Sequence, residues 1–244
     1  MKNIIFIAAL AVCFTACKDD DDDPVIPTDN TRTFKVVIEN VSTATTLQPG
    51  AMPDRSVPLS HGVWAISSNF ELFQLDQPAD EGTSRIAEDG MTTVKTNDLN
   101  NNSLISSNGE FVAPGGPNPQ NAIHMGESSM FMVKGKPGQR LQIQSMFVQS
   151  NDWFYAFTDG GLDLFPDNNA VSGDVTSKLA LYDAGTEADE PPGLGTTQAP
   201  DQGPLDMNVG PDDSVNMIKL AMQRHTGFVI PPNNQVIKIT ITPQ

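Results

Sequence analysis

Alternating apolar and polar residues mark both ends of the folded part of the chain. The period is two residues in segment 34–41 (FKVVIENV) and again in segment 235–244 (QVIKITITPQ). The apolar residues that share a face are Phe34, Val36 and Ile38 in the first segment and Ile237, Ile239 and Ile241 in the second. This period is typical of a half-buried β-strand, so the pattern predicts a strand at each end.

Four further apolar runs predict additional strands, at 61–67, 128–135, 140–150 and 215–222, and the last run is equally compatible with a helix. Spacers rich in proline, glycine and asparagine separate them, and the chain holds 19 glycines and 19 prolines. One short helix is predicted at 79–90, ending at Gly90. These elements predict an all-β antiparallel sandwich with short helices in its loops, built as one domain over residues 32–244.

The first 17 residues have the features of a secretory signal. Lys2 gives a positive start, and the apolar run that follows is too short to span a bilayer. The residues FTAC before Cys17 resemble a bacterial lipobox, which implies cleavage before Cys17 and lipid on its thiol. A plain cleaved signal is the alternative. Both cysteines, Cys13 and Cys17, lie in this segment, so the mature chain is expected to form no disulfide.

Residues 18–31 begin KDDDDD and continue with prolines, a composition that predicts an extended, disordered acidic tether. Cysteine followed by lysine and two aspartates is similar to the surface-export signal of certain bacterial lipoproteins. The similarity implies that the domain is held at the outer membrane by the lipid alone and faces the cell exterior.

The formal net charge of −16 disfavours negatively charged binding partners. Nucleic acid binding needs a basic face, and anionic lipid headgroups also repel such a chain. The acids cluster most densely in the segment LYDAGTEADE, 181–190, which holds four acids and no base. Two interpretations stay open, a solvated acidic loop and a cation site, and calcium is the cation that best suits carboxylate and carbonyl oxygens.

Other chemistry finds less support in the sequence. The chain lacks the phosphate loop, the dinucleotide glycine pattern and the nucleophile elbow. The three histidines, His61, His124 and His225, stand far apart, so no paired spacing indicates zinc. A glycosidase needs two carboxylates that flank a sugar, and among 30 acids such a pair arises by chance.

Two stretches around the acidic segment resemble a known family. MFVQSNDWFYAF (146–157), followed by SGDVTSKLALYDAGTEADEPPGLG (172–195), is similar to the spondin domain of F-spondin, mindin and bacterial secreted proteins. Shorter pieces in the same order extend the resemblance over nearly the whole folded region: 34–42, 59–66, 86–90, 197–203 and 236–243.

The spondin resemblance implies an eight-stranded antiparallel β-sandwich similar to C2 domains, with a calcium ion at one end. It implies as ligands Asp152, Asp183, the carbonyl of Ala180 and Glu187, the last standing where the family often has aspartate. Asp152 and Asp183 are then expected to meet across neighbouring strand ends. Asp189 and Glu190 are expected to remain in water.

The same resemblance implies a non-catalytic binding or adhesion module whose extracellular ligand is a glycan or a surface protein. Trp153 and Tyr155 follow the proposed ligand Asp152 and have two interpretations, core residues or an exposed ring that stacks on a sugar. Two further functions stay open: a structural envelope lipoprotein with a purely structural metal, and a hydrolase of surface glycans.

Overall fold

The computed structural model of the protein describes residues 30–47, 55–116, 118, 121–203 and 209–244. The signal segment 1–17, with Cys17, lies outside the described residues, and so does all of the tether 18–31 except its last two residues. In chain order the strands are β1 (Arg32–Asn40), β2 (Leu59–Ser67), β3 (Ile105–Phe111), β4 (Ser128–Gly135), β5 (Arg140–Phe147), β6 (Trp153–Phe157), β7 (Leu162–Asp163), β8 (Gly173–Asp174), β9 (Leu179–Asp183), β10 (Lys219–Leu220) and β11 (Ile237–Pro243).

The strands form two antiparallel sheets, which confirms the predicted all-β sandwich. The smaller sheet has the order β4-β1-β11-β8, and the larger has the order β10-β9-β6-β5-β2-β3, with β7 beside β5. Within the described residues, eight strands are five or more residues long, and β7, β8 and β10 have two residues each. The longer strands therefore agree with the eight that the resemblance implies.

The two terminal strands pair with each other in the middle of the smaller sheet, with Val36 opposite Ile241 and Ile38 opposite Ile239. Their alternating apolar side chains are fully buried against the larger sheet, as the sequence pattern predicts. Because a strand points successive side chains to opposite faces, one apolar face in each strand is enough to define this half of the core.

Helices α1 (Glu81–Asp89) and α2 (Thr93–Asn100) cover the outer face of the larger sheet and make a third layer. The single turn α3 (Ala221–Arg224) instead places Ala221 in the core between the sheets. Helix α1 confirms the sequence prediction: Asp80 accepts a hydrogen bond from the Thr83 N–H at 2.7 Å, and Gly90 ends the helix with a φ of 68°. Ile86 on α1 and Leu99 on α2 pack against Val63 and Ala65 of β2.

The ambiguous run 215–222 becomes a short edge strand followed directly by a helical turn. Strand β10 pairs with the end of β9, and α3 starts at the next residue. This arrangement carries Arg224 and His225 back toward β9. No helix in the described part of the chain is both long enough and apolar enough to cross a membrane.

Candidate metal centre

The candidate site lies at the end of the larger sheet where β6 begins and β9 ends. Asp152 directly precedes β6, and Asp183 is the last residue of β9, opposite Trp153 in the antiparallel register. The Ala184 N–H donates to the Asp152 carbonyl at 3.0 Å. Antiparallel pairing thus brings together two carboxylates that are 31 positions apart in the sequence.

Asp152 is fully buried, and its two carboxylate oxygens differ. Oδ2 accepts hydrogen bonds from the Thr186 N–H at 2.7 Å, the Thr186 hydroxyl at 3.0 Å and the Glu187 N–H at 3.0 Å. Oδ1 is buried without a hydrogen-bond partner. A buried oxygen of this kind costs free energy unless a proton or a cation meets it.

Asp183 is also fully buried, and it accepts hydrogen bonds on both oxygens. Oδ1 accepts from the Gly185 N–H at 2.7 Å. Oδ2 lies 2.6 Å from His225 Nε2 and 2.9 Å from Arg224 Nε. The last residue of α3, Arg224, and the next residue, His225, therefore supply the positive groups that face this carboxylate.

Asp189 joins the same group, which corrects the expectation that it stays in water. Its side chain is 1% exposed, and Oδ2 lies 2.7 Å from His225 Nε2. The hydrogen-bond geometry assigns the Nε2–H to Asp183, so Asp189 Oδ2 keeps only this close contact with the imidazole, and Asp189 Oδ1 has no hydrogen-bond partner. Glu190 is likewise engaged, because it accepts from the Thr197 hydroxyl at 2.7 Å.

Glu187 faces a second acidic neighbourhood instead of the Asp183 carboxylate. Its backbone N–H contacts Asp152, but its side chain lies beside Glu88 and Gly210, and Oε2 is buried without a hydrogen-bond partner. Burial first and the Glu88 charge second raise the pKa of Glu187 to about 7. The backbone of Glu187 therefore contacts the site, whereas its carboxylate lies beside Glu88, away from the Asp183 carboxylate.

The structure does not bring Ala180 to the carboxylates. Ala180 pairs with Ala156 in the regular ladder between β9 and β6, three residues before Asp183. A strand rises about 3.3 Å per residue, so the Cα atoms of Ala180 and Asp183 lie about 10 Å apart.

The pKa values of Asp152, Asp189 and His225 are all shifted by the burial of negative charge. Burial, followed by the charges of Asp183 and Asp189, raises the pKa of Asp152 well above its usual range. Burial raises the pKa of Asp189 to about 6, against the opposing effect of His225. Burial alone would lower the pKa of His225, but its contacts with Asp183 and Asp189 outweigh burial and raise it to about 9.

The donor set fits a hard dication. Carboxylate oxygens at Asp152 and Asp189 are buried without hydrogen-bond partners, and oxygen donors are the ligands that calcium takes. Within the described residues, Asp183, Asp189 and His225 each offer one donor atom, and these atoms all lie within 4.8 Å of one another. Cation binding would offset both the burial and the mutual repulsion that raise the pKa values of Asp152 and Asp189.

Gly185 fixes the turn that positions Asp183. Its φ is 72°, and a Cβ atom there would lie 2.5 Å from the Met217 carbonyl oxygen. Gly185→Ala is therefore expected to destabilise the protein by about 2 kcal/mol, because the residue needs a left-handed conformation and has no room for a side chain. Urea unfolding measures this change.

Gly126→Ala is the matched control for Gly185→Ala. Gly126 has a φ of 79°, but a Cβ atom there would meet nothing within 4 Å. Gly126→Ala therefore measures only the free-energy cost of placing a side chain on a left-handed backbone, without a steric contact. Equal destabilisation by both substitutions would contradict the close contact with Met217.

The aromatic residues after Asp152 belong to the core, which decides between the two interpretations of the sequence. Trp153 and Tyr155 are fully buried between the sheets, and Phe154 is fully buried on the opposite face beneath Phe73. None of the three presents a ring for stacking on a sugar. Any ligand must therefore contact other residues.

His225 is the residue of the site that sequence reasoning missed. It lies 42 positions beyond Asp183, and its partners are two aspartates and not a second histidine. A search for paired histidine spacing could not find it. The only sequence signal was the ambiguous run 215–222, whose short strand returns the chain to β9.

The fold and the site define a class, an antiparallel β-sandwich with a buried acidic centre at one end. A model of the Spondin_N family matches residues 39–203, more than half of the 244-residue chain. The chain therefore belongs to the spondin N-terminal domain family, as the resemblance implied, and this family is generally non-catalytic. The comparison with curated proteins gives no match.

Proposed function

We propose that this protein is a lipid-anchored, non-catalytic binding or adhesion module that a bound calcium ion stabilises. In this proposal Cys17 carries the lipid, the domain faces the cell exterior at the outer membrane, and the ligand is a glycan or a surface protein. Asp152 and Asp183 are the central calcium ligands, and Glu187 contributes its backbone N–H to Asp152 and not its carboxylate to the ion.

One observation carries the calcium proposal: Asp152 is fully buried beside Asp183 and has a carboxylate oxygen without a hydrogen-bond partner. Family membership supports the non-catalytic part. The lipid anchor rests on the FTAC sequence before Cys17, and surface display rests on the lysine and aspartates that follow.

The test is the melting temperature of the purified full chain in calcium and in chelator. Calcium at a hundredfold excess over its dissociation constant is expected to stabilise the folded state by about 2.7 kcal/mol, because it binds the folded state alone. Asp152→Asn and Asp183→Asn should each abolish the calcium response. A calcium response that survives both substitutions would contradict the assignment of these ligands.

A glycan array separates the binding module from a purely structural lipoprotein. The array is run with and without chelator, below the melting temperature of the chelated chain. Binding that disappears in chelator while the chain stays folded supports a calcium-dependent module. A fold that depends on calcium, with no glycan or protein ligand bound, would favour the structural alternative.

A further inference from the structure

We propose that His225, Asp183 and Asp189 form a nitrogen-containing metal site that binds Zn²⁺ more tightly than Ca²⁺. This inference rests on the proposed cation site and names the class of cation that the site selects. The three donors are His225 Nε2 and one carboxylate oxygen from each aspartate. Two of the three residues, Asp189 and His225, lie outside the ligand set that the spondin resemblance implies.

The three donor atoms are already close enough to share one ion. They lie within 4.8 Å of one another, with His225 Nε2 at 2.6 Å from Asp183 Oδ2 and at 2.7 Å from Asp189 Oδ2. A tetrahedral zinc ion with bonds of about 2.1 Å separates its donor atoms by about 3.4 Å. The imidazole therefore needs to move away from the carboxylates by less than about 1 Å for zinc to replace the Nε2 proton that now faces Asp183 Oδ2.

Buried oxygens without hydrogen bonds point to a ligand at this position. Oδ1 of Asp189 and Oδ1 of Asp152 lack a hydrogen-bond partner, and Asp189 Oδ2 has only its contact with His225, although the Asp189 side chain is 1% exposed and Asp152 is fully buried. Such oxygens are rare in folded proteins because each has lost its hydration without a replacement. A cation bound by Asp183, Asp189 and His225 supplies such a replacement for Asp189.

The imidazole ring is held in place by aromatic neighbours. The His225 ring stacks on Phe228 with centroids 4.9 Å apart and planes 6° apart, and it also lies against Trp153 at 5.4 Å. The backbone N–H of His225 donates to the Ala221 carbonyl at 2.9 Å, and this hydrogen bond fixes the backbone that carries the imidazole. A donor that is already oriented loses little freedom when it binds a metal.

The nitrogen donor decides which cation is favoured. Calcium takes oxygen ligands almost exclusively, whereas imidazole suits zinc and its first-row neighbours. Zinc also accepts low coordination numbers, so one nitrogen and two carboxylates can hold it with a single water. His225 therefore adds affinity for zinc that it cannot add for calcium.

Arg224 is compatible with a metal at this position. Its Nε contacts Asp183 Oδ2 at 2.9 Å, and its Nη2 pairs with Asp213. A carboxylate oxygen has two lone pairs, so Oδ2 can keep the guanidinium on one and offer the other to the ion. The carboxylates of Asp152, Asp183, Asp189 and Asp213 exceed the single guanidinium by three formal charges, and a dication offsets two of them.

The test measures Zn²⁺ and Ca²⁺ affinities of the purified full chain and its variants, with a chromophoric chelator as the zinc competitor. Zinc is expected to bind at one ion per chain and more tightly than calcium. His225→Gln should lower zinc affinity by about 100-fold and change calcium affinity by less than about threefold. His124→Gln, which removes an exposed imidazole elsewhere, should change neither affinity.

X-ray absorption of the zinc-loaded wild type gives a readout that needs no variant. An imidazole nitrogen in the zinc shell, together with oxygen neighbours, is expected. An all-oxygen shell would overturn the inference, and so would equal zinc affinity in the wild type and His225→Gln. The result holds even if His225→Gln fails to fold.

The outcomes separate this inference from the proposed calcium site. One outcome overturns the inference and supports the proposed function: calcium binding requires Asp152 and Asp183, and zinc binds no more tightly than calcium. Zinc binding lost in His225→Gln, with no calcium response at all, supports the inference and removes calcium from the proposal. Binding of neither ion by the wild type overturns both.

Discussion

Replacing Arg224 with methionine is expected to destabilise the chelated protein by about 3–5 kcal/mol, the cost of leaving buried carboxylates without their cationic partner. Arg224 contacts the fully buried Asp183 and pairs with Asp213, whose side chain is 10% exposed. Methionine keeps much of the apolar bulk of the arginine stem, so the change reports mainly on charge. Denaturant unfolding in chelator measures the difference.

Calcium is expected to recover part of the stability that Arg224→Met loses. A dication restores positive charge beside the same carboxylates, so the stabilisation by calcium should be larger in the variant than in the wild type. Arg55→Met is the matched control, because Arg55 pairs with Asp201 at the surface. Surface pairs contribute about 0–1 kcal/mol, and a cost for Arg224→Met no larger than that of the control would contradict the account.

The strands with one buried face were predictable because their sequence repeats every two residues. Strands β1 and β11 show this alternation, and in the structure their apolar faces fill one side of the sandwich. Strand β6 is buried on both faces, since the helical layer covers the outside of the larger sheet. Its sequence WFYAF therefore left the direction of each aromatic ring undecided.

Strand β3 and helix α2 are among the elements that the sequence pattern did not predict, and the reason can be identified for each. Strand β3, with the sequence ISSNGEF, is mostly polar and takes its conformation from pairing with β2. Helix α2 carries almost no apolar periodicity, and its place is set by packing against α1. In both cases tertiary contacts override weak local preferences.

The acidic site was only partly predictable from sequence, because strand pairing positions some of its residues and irregular segments position the others. The sequence places Asp152 and Asp183 at the ends of predicted or recognised segments, and antiparallel pairing brings these ends together. The burial of Asp189 and the return of His225 depend on the loop after β9 and on α3, which have no repeating pattern. Charge density identified the segment 181–190 but could not say which acids turn inward.

Glu187→Gln is expected to stabilise the chelated protein at pH 8 by about 3 kcal/mol and to have little effect at pH 4. Burial, followed by the charge of Glu88, raises the pKa of Glu187 from an ordinary value of 4.5 to about 7. A raised pKa means that the stabilising contribution is full below pH 4.5 and is lost as the pH rises through 7. A pKa raised from 4.5 to about 7 corresponds to a loss of about 3 kcal/mol of stability at pH 8.

The test of Glu187→Gln is denaturant unfolding in chelator between pH 4 and pH 8. The wild type should lose stability as the pH rises over this interval, and the variant should lose less, because glutamine carries no charge to bury and its amide can donate to Glu88. Glu71→Gln, at an exposed position, is the matched control and should change stability by less than about 0.5 kcal/mol. Parallel curves for the wild type and Glu187→Gln would mean that the Glu187 carboxylate finds a partner or water in solution.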